Sequence, residues 1–289
     1  MTFLALLTKE LRLRLRRERT MWLIIGYILL MGLFGWFFLS HFRNVNSYGP
    51  FGLDTTGPYL YVLLSQLQLF LIMFITPAFT STAINGEKER QTFDLLLCSR
   101  LSSFSLIGGK LVAGLANALL LIAASIPLFS LVFFFGGVSP MQVAASMLVY
   151  LATTVMVGTC GLFFSTILRR PASSTAVTYM VGLVWLIGPL LIYGILTLSG
   201  GGVNGGQPPL ILAWNPALAL FSTYPFGSSY FYLLGSIQGL HLSPWITYIV
   251  LDTLAATIFF LLSMWTVKPY ANNWQYKNTK TRGKTTVTA

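Results

Sequence analysis

The sequence predicts an all-α polytopic membrane protein with six transmembrane helices, an N-terminal amphipathic interfacial helix and an outer helical hairpin before the last span. Three observations carry that class. Charged residues make up 9% of the 289 and apolar residues 55%, where soluble domains hold roughly 25% and 45–50%. Mean hydropathy is +0.73. Finally, runs of ~20 apolar residues, enough to cross a bilayer, occur at Trp22–Ser40, Tyr59–Ile84, Leu111–Phe135, Met141–Leu168, Ser173–Leu198 and Trp245–Val267.

Residues 1–20 precede the first span as one amphipathic helix. Leu4, Leu7, Leu11 and Leu15 share a face at steps of three and four, and Lys9, Arg12, Arg16 and Arg19 share the opposite one, the pattern of a helix lying on the inner leaflet. Arg14 falls beside the leucine stripe and must snorkel or find a partner. The first span ends without a small-x-small cleavage site, so it is read as a retained anchor.

Basic residues orient the spans. With the N-terminus inside, Lys9 to Arg19, then Lys88, Arg90, Arg100 and Lys110, then Arg169 and Arg170, then Lys268 to Lys284 all face the cytoplasm. Only Arg43 of the 18 basic residues is left outside, as the positive-inside rule requires. The excess over 7 acids is therefore topological, and no nucleic-acid partner is expected. Six spans return residues 268–289 to the cytoplasm as a tail. A seventh span in 208–240 would carry that tail outside, so this stretch is read as non-spanning. Asn215 before Pro216 is a capped helix start, giving a short helix over Pro216–Tyr224. Pro225, Gly227 and Gly235 then break the pattern. Two short helices at the outer interface fit, as does an ordinary outer loop packed on the bundle.

Catalytic constellations are scarce. Gly108-Gly109-Lys110-Leu111 lacks the first glycine and the hydroxyl of a phosphate-binding loop. His41 and His241 have no Cys/His/acid cluster around them, so no metal is expected. Cys98 and Cys160 suggest no disulfide framework, and both are read as free thiols. Asp252 is the only acid within a span. It is either a functional group by default or an interfacial carboxyl bonded to Thr247 or Thr253. Gln66 and Gln68 are either pathway-lining groups or interhelical hydrogen bonds. Pro77, Pro127 and Pro189 each fall within a span, where they free carbonyls and permit kinks.

The charged stretch between the second and third spans is read as a helix over residues 86–100. Within it Phe93, Leu96, Leu97 and Arg100 follow three-and-four spacing as a ridge, and Glu87, Glu89, Arg90 and Asp94 supply orienting charges. That combination serves either a docking surface or a loop helix packed under its own bundle with Glu87–Arg90 and Arg90–Asp94 pairs. The run Glu87-Lys88-Glu89-Arg90-Gln91-Thr92-Phe93-Asp94-Leu95-Leu96-Leu97, followed by Gly109-Lys110 and a span, resembles the cytoplasmic loop of ABC-2-type transporter permeases. Gln91 stands where that family commonly has glycine, and Cys98-Ser99-Arg100 where it has a Ser/Thr-Pro pair. The likeness extends in outline over the whole chain.

The resemblance implies a permease subunit of an ATP-driven transporter, in a bacterial or archaeal cell membrane, with residues 86–100 as the coupling helix of a separate ABC ATPase subunit. It implies ATP and magnesium on that partner and none on this chain. Six helices enclose little pathway, so a second permease subunit, identical or homologous, is expected. Export is the expected direction, since no binding-protein docking domain is visible. The competing reading is a stand-alone proton-coupled secondary carrier that uses Asp252; internal repeats and midplane charges would favour it, and neither is visible. A membrane enzyme has no constellation to support it. Lipids, lipid-linked molecules, hydrophobic drugs and peptides all suit the apolar span surfaces.

Overall fold

Each of the six apolar runs forms one long helix in the computed structural model, which describes residues 18–46, 53–91, 103–198, 210–224, 236–237, 240–241 and 243–285. The predicted amphipathic helix lies almost wholly in residues 1–17, outside the described ones. The spans are α1 (Glu18–Asn46), α2 (Leu53–Thr80), α4 (Ser103–Phe135), α5 (Pro140–Ile167), α6 (Pro171–Leu198) and α8 (Pro244–Thr285). Six of the described helices are long and apolar enough to cross a membrane. A short α3 (Asn85–Glu89) follows α2, and α7 (Pro216–Phe221) lies between α6 and α8.

Although α2 ends at Thr80 and leaves 81–84 of its run as a turn, all six helices start at or before the apolar runs that predict them, because backbone hydrogen bonding does not stop where hydropathy falls. The clearest case is α8, whose 42 residues carry the last span on through most of the tail read above as a separate segment. Local chemistry sets the turns. After α4, Gly136 and Gly137 take φ of 75° and 77°, values that cost a side-chain-bearing residue dearly. Ser139 and Gln142 then cap α5 reciprocally, with Pro140 at the first helical position.

Within 208–240 the described residues form three short pieces. A 3-10 turn at Leu210–Trp214 leads into α7, residues 225–235, where a second short helix would fall, lie outside the described ones, and β1 (Ser236–Ile237) and β2 (Leu240–His241) form a two-residue antiparallel pair. In that pair Ser236 faces His241 and Ile237 faces Leu240.

Packing centres on α5. It touches α2, α4, α6, α7 and most extensively α8. Its most apolar stretch is 67% buried, whereas those of α1 and α6 are 11% buried. Small residues allow this closeness. A Cβ on Gly161 would stand 2.5 Å from Thr80 Oγ1 and one on Gly114 2.9 Å from Thr80 Cγ2, so α2, α4 and α5 converge where no methyl group fits. Two ends of the bundle are thereby distinguished. A basic end gathers Lys88, Lys110, Arg169 and Arg170. At the far end α7 enters the main core, with Leu220 and Tyr224 buried among Leu60, Tyr61 and Leu64.

Candidate functional site

At the basic end, the turn Ser81–Ile84 and α3 are bolted to the rest of the bundle. The first N–H groups of a helix lack partners within it, and Ile84 offers α3 no side-chain cap. A hydroxyl from another helix supplies one. The N–H groups of Ile84 and Asn85 both donate to Ser165 Oγ of α5, at 2.9 and 3.1 Å, while Ser165 Oγ donates to Asn85 Oδ1 at 2.7 Å. Asn85 is fully buried, and its Nδ2 donates to the Arg170 carbonyl at 3.4 Å.

The favour is returned at the other end of the joint. Lys88 Nζ donates to the Thr166 carbonyl at 2.6 Å, where the last turn of α5 leaves carbonyls unsatisfied and welcomes a cation. Lys110 of α4, only 8% exposed, donates to Glu87 Oε1 at 3.0 Å. The five residues of α3 thus hold α4 and α5 directly, and α6 through the Arg170 backbone.

The predicted helix over residues 86–100 does not run through. It ends at Glu89, with Arg90 as its C-cap, and Gln91 turns into the left-handed region at φ 57°. That conformation ends α-helices and suits glycine best, which gives a physical account of the glycine common at this position in the loop that the sequence resembles. Glu89, Arg90 and Gln91 are exposed. Glu87 is not a free orienting charge, because Lys110 holds it. Phe93, Asp94, Leu96, Leu97 and Arg100, like Cys98, lie outside the described residues.

The three candidate pathway residues separate. Gln66 makes the interhelical bonds: its Nε2 donates to Tyr224 Oη at 2.8 Å and reaches the Ala217 carbonyl at 3.4 Å, tying α2 to α7. Ser65 Oγ joins the same phenol at 2.7 Å, and Tyr150 Oη donates to the Ser65 carbonyl at 3.0 Å. Burial raises the Tyr224 phenol above its ordinary range, against the opposing pull of its bonds with Ser65 and Gln66. It therefore stays protonated as part of this clasp.

Gln68 and Asp252 are fully buried, and neither side chain finds a hydrogen-bond partner among the described residues. Asp252 does not use Thr253, whose hydroxyl donates instead to the Val250 carbonyl at 3.0 Å. Its carboxyl faces Trp214 and Tyr248. Tyr248 is bonded to Thr153 at 2.8 Å and stacked on Trp185, which donates to the Trp214 carbonyl at 2.9 Å. Asn215 caps α7 through Ala217 and Leu218 and donates to the Leu186 carbonyl at 2.7 Å.

Of the histidines, His41 stacks on Phe37, and no group of three metal-ligating side chains occurs among the described residues. Cys160 is a buried free thiol.

Sequence reasoning missed Asn85, Lys88, Lys110, Ser165 and Thr166 as parts of one joint. The only signal was polarity at the ends of apolar runs, which does not say who meets whom. No curated protein matched the chain. A family model described as ABC-2 family transporter protein matches residues 4–272. With that match running over nearly the whole length, through all six spans and the braced loop between the second and third, the chain belongs to the ABC-2 family of transporter proteins.

Proposed function

We propose that this chain is the permease half of an ATP-driven exporter in a bacterial or archaeal cell membrane. Both termini are cytoplasmic, it pairs with a second permease subunit, and separate ABC ATPase subunits dock on the loop that begins at α3. The observation that carries the reading is the joint at α3. A docking segment does work on a membrane domain only if a push on it reaches the spans, and α3 is fastened by Ser165, Thr166, Lys110 and Arg170 to three of them. Beside that joint Glu89 and Arg90 are exposed to a partner. ATP binding would draw two such loops together and rock the bundles.

Reconstitution tests it against the carrier reading. Liposomes holding this chain with its partner ATPase should transport only with ATP, and Asp252→Asn should lower the rate modestly, since the amide keeps the shape of the carboxyl. Uphill transport by the chain alone, driven by a pH gradient and lost in Asp252→Asn, would overturn the assignment.

A further inference from the structure

A cleft of ≈ 630 Å³ opens beside the joint, lined by Lys88, Glu89, Arg169, Arg170, Pro171 and Ala172. Three cations face one carboxylate there. Arg169 and Arg170 are exposed, and neither has an ion-pair partner among the described residues. Pro171 and Ala172, the first residues of the 28-residue helix α6, also line the cleft, so the positive end of the helix dipole adds to the same field. Depth matters as much as charge. Ile167, half exposed on the last turn of the span α5, immediately precedes the turn that carries the two arginines. Exposed apolar surface therefore gives way to cationic surface within three residues, the change expected where a span meets the headgroup layer.

We propose that this cleft binds the phosphate headgroup of one anionic phospholipid. Arg169 and Arg170 are the principal contacts, Lys88 contributes charge from the wall, and the acyl chains lie along the Ile167 face. Lys88 also holds the end of α5 through Thr166, so an occupied cleft would stiffen the joint at α3 from outside. The site does not depend on the exporter reading, because its ligand is a membrane component whatever the protein moves.

The test uses the full chain in detergent, titrated with phosphatidylglycerol, phosphatidylcholine or inorganic phosphate, and read by native mass spectrometry and thermal unfolding. The expected result is one retained phosphatidylglycerol per chain, a raised Tm, no comparable effect of phosphatidylcholine, and no displacement by millimolar phosphate. Arg169→Gln/Arg170→Gln should weaken that binding by roughly tenfold or more, with Arg169→Lys/Arg170→Lys retaining most of it. Lys280→Gln/Arg282→Gln in the tail should leave it unchanged. Equal retention by the glutamine variant, equal retention of phosphatidylcholine, or displacement by inorganic phosphate would overturn the proposal. Loss of ATPase association in the glutamine variant with lipid binding intact would assign the arginines to the partner protein instead.

Discussion

Thr80 sits where three helices meet, and the meeting depends on two hydrogen atoms. Adding a methyl group at Gly161 places it 2.5 Å from Thr80 Oγ1 and 3.3 Å from the Ser81 backbone nitrogen. The backbone atom cannot swing aside as a side chain would. Gly161→Ala should therefore cost about 1–3 kcal/mol through overpacking. Gly26→Ala, with nothing within 4 Å of the new methyl, should be neutral or slightly stabilising, since alanine is the better helix former. Thermal unfolding of the two variants in detergent checks this, and equal Tm values would show that the convergence at Thr80 is looser than described. A glycine in an apolar run is legible as a small residue, but its partner is not. The same limit applied to Asp252. Its depth in the span was readable, whereas its complete burial against Trp214 and Tyr248 depends on a segment some forty residues away in the chain.

The elements divide by how local their causes are. The six spans were legible because hydropathy and length decide them, and the cap at Asn215 because its partners Ala217 and Leu218 are two and three residues away. The helix read over 86–100 is interrupted at Gln91, where the backbone turns to φ 57° although the apolar spacing continues, and residues 92–100 lie outside the described ones. For α3 the Glu87–Lys110 contact is the testable element. Glu87→Lys should set two cations against each other at the joint and cost roughly 1–3 kcal/mol, between the values for exposed and buried pairs. Coupled transport should fall with it. The swap Glu87→Lys/Lys110→Glu should recover much of both, as a double-mutant cycle measures. Unchanged coupling in Glu87→Lys would remove this contact from the transmission path.

At the scale of the whole molecule, hydropathy does not say which span lies at the centre. The apolar stretches of α5 and α6 are equally apolar, yet 67% of one and 11% of the other is buried. Residue size was the readable difference, since Ser146, Thr153, Thr154, Gly158, Thr159, Gly161 and Ser165 all turn inward on α5. The orientation read from the basic residues has its own check. In intact cells a membrane-impermeant thiol reagent should label Ser199→Cys and spare both Cys98 and Thr281→Cys until the membrane is opened. Labelling of Thr281→Cys from outside would mean that 208–240 crosses the bilayer. The unbroken length of α8 carries one more consequence. Its 42 residues make a rod of about 63 Å at 1.5 Å per residue, pressed along α5 and gripped near its start beside α7. Pivoted at that grip, a tilt of only about 5° would sweep its opposite tip through about 5 Å over such a length, so a helix this long is able to serve as a lever that magnifies short movements.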